Sequence, residues 1–181
     1  AAGVGGVTHR LDPANIPWLT AVIWAPLVEE MLFRYGLRRP RQALWLCPAL
    51  LPVVLYGPRI WTGLLLAAFV LLACWSLRPR PEPLKGWNTA WRRHYLKHFG
   101  WVFHLVALTF AAVHLTNFVF NHTPYWLLPL LVLPQWVTGL VLGWIRIRRG
   151  IGAAVALHAM FNAGPILLIW AVMRWAPTAA S

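Results

Sequence analysis

Glu29 and Glu30 stand side by side in the run Ala25-Pro26-Leu27-Val28-Glu29-Glu30-Met31-Leu32-Phe33-Arg34. They are two of only four acidic residues in the 181-residue chain, the others being Asp12 and Glu82. The segment around them otherwise reads as membrane-buried, where a charge at the bilayer centre costs about 2.5–3.5 kcal/mol on insertion scales. The other ionisable groups inside apolar segments are Arg34, His114 and His158, and Asn162 follows His158 by one helical turn. Glu30 and Arg34 are four apart, so they share a helix face and can pair. Glu29 points about 100° away from Glu30 and can face a cavity. An imidazole beside a carboxylate can share the activation of water. His158 and Asn162, also four apart, can aim hydrogen-bond donors at a developing oxyanion. The chemistry these types support together is hydrolysis of a carbonyl by activated water, and the residues alone leave open whether Glu29 or Glu30 is the base. Each group also has a structural reading: an ion pair, a histidine contact between helices, or an interhelical amide bond worth about 0.6 kcal/mol.

The elements that must position these groups are membrane helices. The chain is 60% hydrophobic and 11% charged, with a mean hydropathy of +0.61, far from the composition of soluble domains. Thirteen tryptophans suit interfacial belts. The net charge of +12 flanks apolar spans, which fits orientation and anionic-lipid contact rather than nucleic acid, since no recognition motif accompanies it. Cys47 and Cys74 lie in apolar spans with neither metal-site nor disulfide spacing and read as buried thiols.

The fold expected is all-α, a polytopic membrane protein of about six transmembrane helices plus a basic amphipathic interfacial helix, forming one membrane-embedded domain over 1–181. Residues 1–15 read as a loose tail. The first span is 16–37, with Pro26 predicting a kink just before the glutamates. Residues 43–77 read as an inserted transmembrane hairpin turning at Gly57-Pro58. A cytoplasmic loop and interfacial helix occupy 78–104, and spans follow at 104–121, 125–146 and 151–174. Of sixteen Lys and Arg residues, twelve fall on one side (38, 39, 41, six between 78 and 97, and 146, 148, 149), against Arg10, Arg59 and Arg174 on the other. This orients the basic loops to the cytoplasm and both termini outside it. At 1.5 Å per residue, Glu29 and His158 each lie about 12 Å from their basic helix ends, and a fourth span starting near 104–106 brings His114 to the same level.

At these residues the sequence resembles the CAAX protease and bacteriocin-processing family, also called CPBP or Abi. Glu29-Glu30-Met31-Leu32-Phe33-Arg34 matches its EExxxR motif, Phe110 to His114 its FxxxH motif, and His158 to Asn162 its HxxxN motif. The likeness covers roughly 17–37 and 104–165, with the 43–77 hairpin and a basic loop inserted between the first two motifs. The resemblance implies a glutamate-dependent intramembrane protease. Within it Glu29 is the base, assisted by His114. His158 and Asn162 stabilise the oxyanion, Arg34 holds the glutamate pair, and Glu30 supports them.

The substrate implied is a membrane-associated protein or peptide, of the prenylated CAAX type or with a hydrophobic C-terminal signal, met in a bacterial inner membrane. No cofactor is expected, and no acyl-enzyme, since no serine or cysteine accompanies the site. A zinc metalloprotease is the alternative that two histidines and a glutamate allow, although HExxH is absent. A non-catalytic immunity or binding protein of the same fold and a proton-relay transporter are the remaining alternatives.

Overall fold

A computed structural model describes residues 7–10, 15–76, 87–121 and 123–175. The chain is a predominantly helical polytopic membrane protein. The first helix is not a uniform α-helix. Thr20–Trp24 is π-helical, Ala25–Glu29 (α1) is α-helical, Glu30–Arg34 is π-helical again, and Tyr35–Leu37 closes in a 3₁₀ turn. Pro26, expected to kink this helix, sits where the first π turn gives way to α1. Proline has no backbone N–H, so the hydrogen-bond ladder must change register around it.

The hairpin expected at 43–77 takes shape as α2 (Pro40–Ala49) and α3 (Leu51–Tyr56), then α4 (Ile60–Ser76). Gly57 makes the turn at φ +64°, a left-handed value that glycine adopts without a Cβ penalty. The buried Thr62 hydroxyl accepts from Arg59 N–H at 2.8 Å and donates to Gly57 O at 2.7 Å, satisfying backbone groups that the turn leaves free. Leu46, Leu50 and Val53 on one limb and Leu66, Phe69 and Ala73 on the other close over Val28, Met31 and Tyr35. The hairpin therefore forms the wall behind the first helix.

α5 (Trp87–Lys97) and α6 (Phe99–Val113) meet at a break at His98, where φ is −103°. The fourth span was expected to start near 104. The helix starts at Phe99 instead, because Lys and Arg end at Lys97 and the run from Phe99 to Val113 is apolar apart from His104 and Thr109. The loop expected over 78–90 lies largely outside the described residues. α6 gives way to a 3₁₀ turn at His114–Asn117 and then a strand, so the span expected to reach 121 stops sooner. α7 (Leu128–Arg149) ends at Gly150, φ +99°, and α8 (Ile151–Trp175) completes the chain.

Of the tail expected to be loose over 1–15, residues 1–6 and 11–14 lie outside the described residues, and 7–9 form a strand. β1 (Val7–His9) pairs antiparallel with β2 (Phe118–Phe120), Thr8 opposite Val119. β-branched and aromatic residues on both strands favour that pairing, and His9 meets Phe118 edge-on with ring centroids 5.0 Å apart.

Among the described residues, Phe99–Asn117, Tyr125–Arg149 and Ile151–Trp175 are long and apolar enough to cross a membrane, and Ile60–Trp75 is a shorter apolar helix. The outward faces carry large bare hydrophobics such as Leu64, Leu71 and Trp75 on α4 and Met160 and Leu168 on α8. In water such a surface would aggregate, whereas hydrocarbon solvates it at no cost.

Candidate active site

The first helix carries the acids, and side chains from four neighbouring helices reach its backbone carbonyls. Asn162 on α8 donates its amide to Ala21 O at 2.8 Å. The Cys47 thiol on α2 makes a long contact to Met31 O at 3.7 Å. Arg146 on α7 donates from Nε to Arg34 O at 3.1 Å and from Nη2 to Tyr35 O at 3.3 Å. The Tyr95 hydroxyl on α5 lies 3.3 Å from Gly36 O and 3.2 Å from Leu37 O. A backbone carbonyl short of partners is costly in a membrane interior, and these contacts tie the helix that carries the carboxylates to α2, α5, α7 and α8.

α6 is brought against α7 by two glycines. A Cβ on Gly139 would lie 3.2 Å from Ala107 O, and one on Gly143 would lie 2.7 Å from the Phe103 ring. This close approach sets Phe110, which is fully buried. The Arg34 guanidinium stacks over the Phe110 ring at 4.0 Å, a cation–π contact. The same ring lies 4.4 Å from the His114 ring and 5.7 Å from that of His158. One aromatic side chain thus spaces the cation and both imidazoles.

The carboxylates are sorted by their partners. Glu30 is fully buried, and its Oε1 accepts from both Arg34 Nη1 and His158 Nδ1, the latter at 2.8 Å. Glu29 Oε2 lies 3.8 Å from His114 Nε2 and 3.6 Å from His158 Nε2, and the Glu29 side chain keeps 27% of its surface exposed. Among the described residues Glu29 Oε2 has no hydrogen-bond partner. His114 Nδ1 is 2.8 Å from Phe110 O. A carbonyl only accepts, so that nitrogen carries the hydrogen and Nε2 is turned to Glu29. Glu30 fixes His158 in the same way, since an ionised carboxylate also only accepts.

The structure therefore brings together Glu29, Glu30, Arg34, His114 and His158. Asn162 is placed differently from the others: its amide is engaged at Ala21, about two turns before Glu29 along the first helix. Arg146, Phe110, Tyr95 and Cys47 contribute contacts around the site that sequence reasoning did not give them. The spacing that could have found Arg146 is Gly139, Leu142, Gly143 and Arg146, all buried on one face of α7, which turns a nominally topological arginine inward. Among the described residues no group of three His, Cys, Asp or Glu side chains has the arrangement of a metal site.

No curated protein and no solved structure matches the chain significantly. A family model for the Rce1-like type II CAAX prenyl endopeptidases matches residues 13–164, a stretch that takes in Glu29, Glu30, His114 and His158 and ends within α8. By that match the chain belongs to the Rce1-like family of type II CAAX prenyl endopeptidases, and so to the membrane proteases.

Proposed function

We propose that the chain is an intramembrane endopeptidase of glutamic type that cleaves a membrane-associated, lipidated CAAX-type substrate by direct attack of activated water. The single observation that carries this reading is the contrast between the two carboxylates: Glu30 is engaged by Arg34 and His158, while Glu29 Oε2 faces two imidazole Nε2 atoms at 3.6 and 3.8 Å. Those separations exceed direct hydrogen-bonding reach and suit a bridging water. A water there donates one hydrogen to Glu29 and the other to His114 Nε2, leaving a lone pair for the substrate.

In the step that follows, Glu29 takes a proton from water as the oxygen bonds to the scissile carbonyl carbon. The negative charge that develops on the carbonyl oxygen is met by His158. In its imidazolium form His158 keeps Nδ1–H on Glu30 and presents Nε2–H to the oxyanion. Two carboxylates, Arg34 and one imidazolium make a cluster with no net charge, the condition under which buried ions persist without a large desolvation penalty. Glu29 then delivers its proton to the leaving nitrogen as the C–N bond breaks, returning the site to its starting state. The basic loops are assigned to the cytoplasmic face of a bacterial inner membrane, with both termini on the other side, on the strength of the Lys and Arg distribution.

The test is cleavage by the purified protein in lipid vesicles. Farnesylated peptides ending in a CAAX sequence are compared with the same peptides lacking the lipid, and with peptides ending in a hydrophobic signal. Products are read by mass spectrometry. Cleavage of the farnesylated peptide alone is expected. Cleavage of the hydrophobic-signal peptide in its place would move the substrate class, and cleavage of none would remove the protease reading.

A further inference from the structure

We propose that Asn162 is a positioning residue that replaces the backbone N–H missing at Pro26, and that it acts on catalysis through the Ala21 carbonyl rather than on the oxyanion. The argument starts from register. Ala25 N–H bonds to Thr20 O, five residues back, which is the π pattern. In that pattern the next carbonyl, Ala21 O, is owed a hydrogen by residue 26. Residue 26 is proline and has none. The donor one residue closer, Ala25 N–H, is already on Thr20 O. Ala21 O is left over, and the Asn162 amide reaches it from α8 at 2.8 Å.

This makes a second bridge between α8 and the first helix. The first is His158 Nδ1 to Glu30 Oε1, one helical turn away on α8. Two bridges on one helix face fix rotation as well as separation, and with them the distance from His158 Nε2 to Glu29. An oxyanion donor and a carbonyl donor are different roles for the same amide, and they respond differently to a change at position 26.

The experiment is a double-mutant cycle on the vesicle-reconstituted protein, so it rests on the protease reading above. Asn162→Ala leaves a partly buried carbonyl without this donor, and a fall in kcat of roughly five- to a hundredfold with KM little changed is expected. Pro26→Ala alone restores an N–H and keeps activity near that of the parent. The decisive variant is the double substitution. If Asn162 acts through Ala21, Pro26→Ala in the Asn162→Ala background restores kcat to within about threefold of Pro26→Ala alone, and restores Tm with it. If Asn162 touches the oxyanion, the second substitution rescues nothing, and the proposal is overturned. An Asn162→Ala protein with unchanged kcat and Tm overturns it as well. Should Asn162→Ala fail to accumulate in the membrane, recovery of folded protein in the double variant supports the proposal and continued absence overturns it. Glu29→Gln is run alongside: an active Glu29→Gln protein would defeat the protease chemistry itself, whereas an inactive one with no rescue at position 26 defeats only the role given to Asn162.

Discussion

Arg146→Met is the substitution through which the support of the site is most open to measurement. The arginine is 2% exposed, and its guanidinium donates to Arg34 O and Tyr35 O. Hydrogen bonds from a charged donor contribute about 1.5–3 kcal/mol each. Two of them are lost, and part of that loss is offset because a buried guanidinium no longer has to be held out of water. A net destabilisation of about 2–3 kcal/mol follows, which for a chain of this size lowers Tm by roughly 5–10 °C. The consequence for activity runs through the helix end. Arg34 is the residue whose carbonyl is released, and its side chain holds Glu30, which in turn orients His158. We expect kcat to fall about tenfold with KM nearly unchanged, the pattern of a lost transition-state contact rather than lost substrate binding. Arg146→Lys should recover little of either, since a single ammonium does not reproduce the fork that spans two carbonyls. The assay is thermal unfolding in detergent beside steady-state cleavage in vesicles. Wild-type Tm and wild-type kcat in Arg146→Met would refute the claim that α7 supports the acids through this side chain.

Gly139→Leu should separate α6 from α7, because even a Cβ there meets Ala107 O at 3.2 Å. Overpacking of this kind costs about 1–3 kcal/mol, and cleavage should fall as His114 moves from Glu29. Retained activity in a folded Gly139→Leu protein would show that this approach does not set the site. Incubation with a strong zinc chelator should leave cleavage unaffected, and loss that zinc restores would replace the direct-water mechanism with a metal-assisted one. Burial pushes the Tyr95 hydroxyl above its usual range. A raised folded-state pKa means that its contribution is complete below the ordinary tyrosine value near 10 and is lost as pH climbs through the raised value. Alkaline unfolding followed by tyrosine absorbance should therefore show a destabilisation in that window that Tyr95→Phe lacks, and identical profiles for the two proteins would contradict it.

The acids and imidazoles were legible in the sequence because charge is so scarce in it. Two adjacent glutamates inside an apolar segment have few innocent explanations, and the i,i+4 spacing of Glu30 with Arg34 fixes their pairing from helix geometry alone. The hairpin turn at Gly57 was legible for a similar reason, since a glycine-proline step between two apolar runs leaves few other conformations. What resisted reading was depth and register. Placing His114 level with Glu29 required assuming that all helices end at one plane, and that assumption moved the start of the fourth span to 104. Phe110 against Arg34 sets the level instead. The π-helical and 3₁₀ turns are invisible to any periodicity argument, so the side-chain partners that the first helix's carbonyls find on α5, α7 and α8 could not be foreseen. The strand at Val7–His9 was missed because its partner lies more than a hundred residues away at Phe118–Phe120.

The division of labour between the two glutamates is open to one direct measurement, the single-turnover cleavage rate of Glu29→Gln and Glu30→Gln in the same vesicles with a farnesylated peptide. A general base contributes about 10²–10⁴-fold, so Glu29→Gln should fall by that much while remaining folded and still binding the peptide. Glu30→Gln keeps an acceptor oxygen for Arg34 and His158 and should retain measurable cleavage with a lowered Tm. A Glu29→Gln protein that cleaves at the parental rate, beside an inactive but folded Glu30→Gln, would contradict the account and move the base to Glu30.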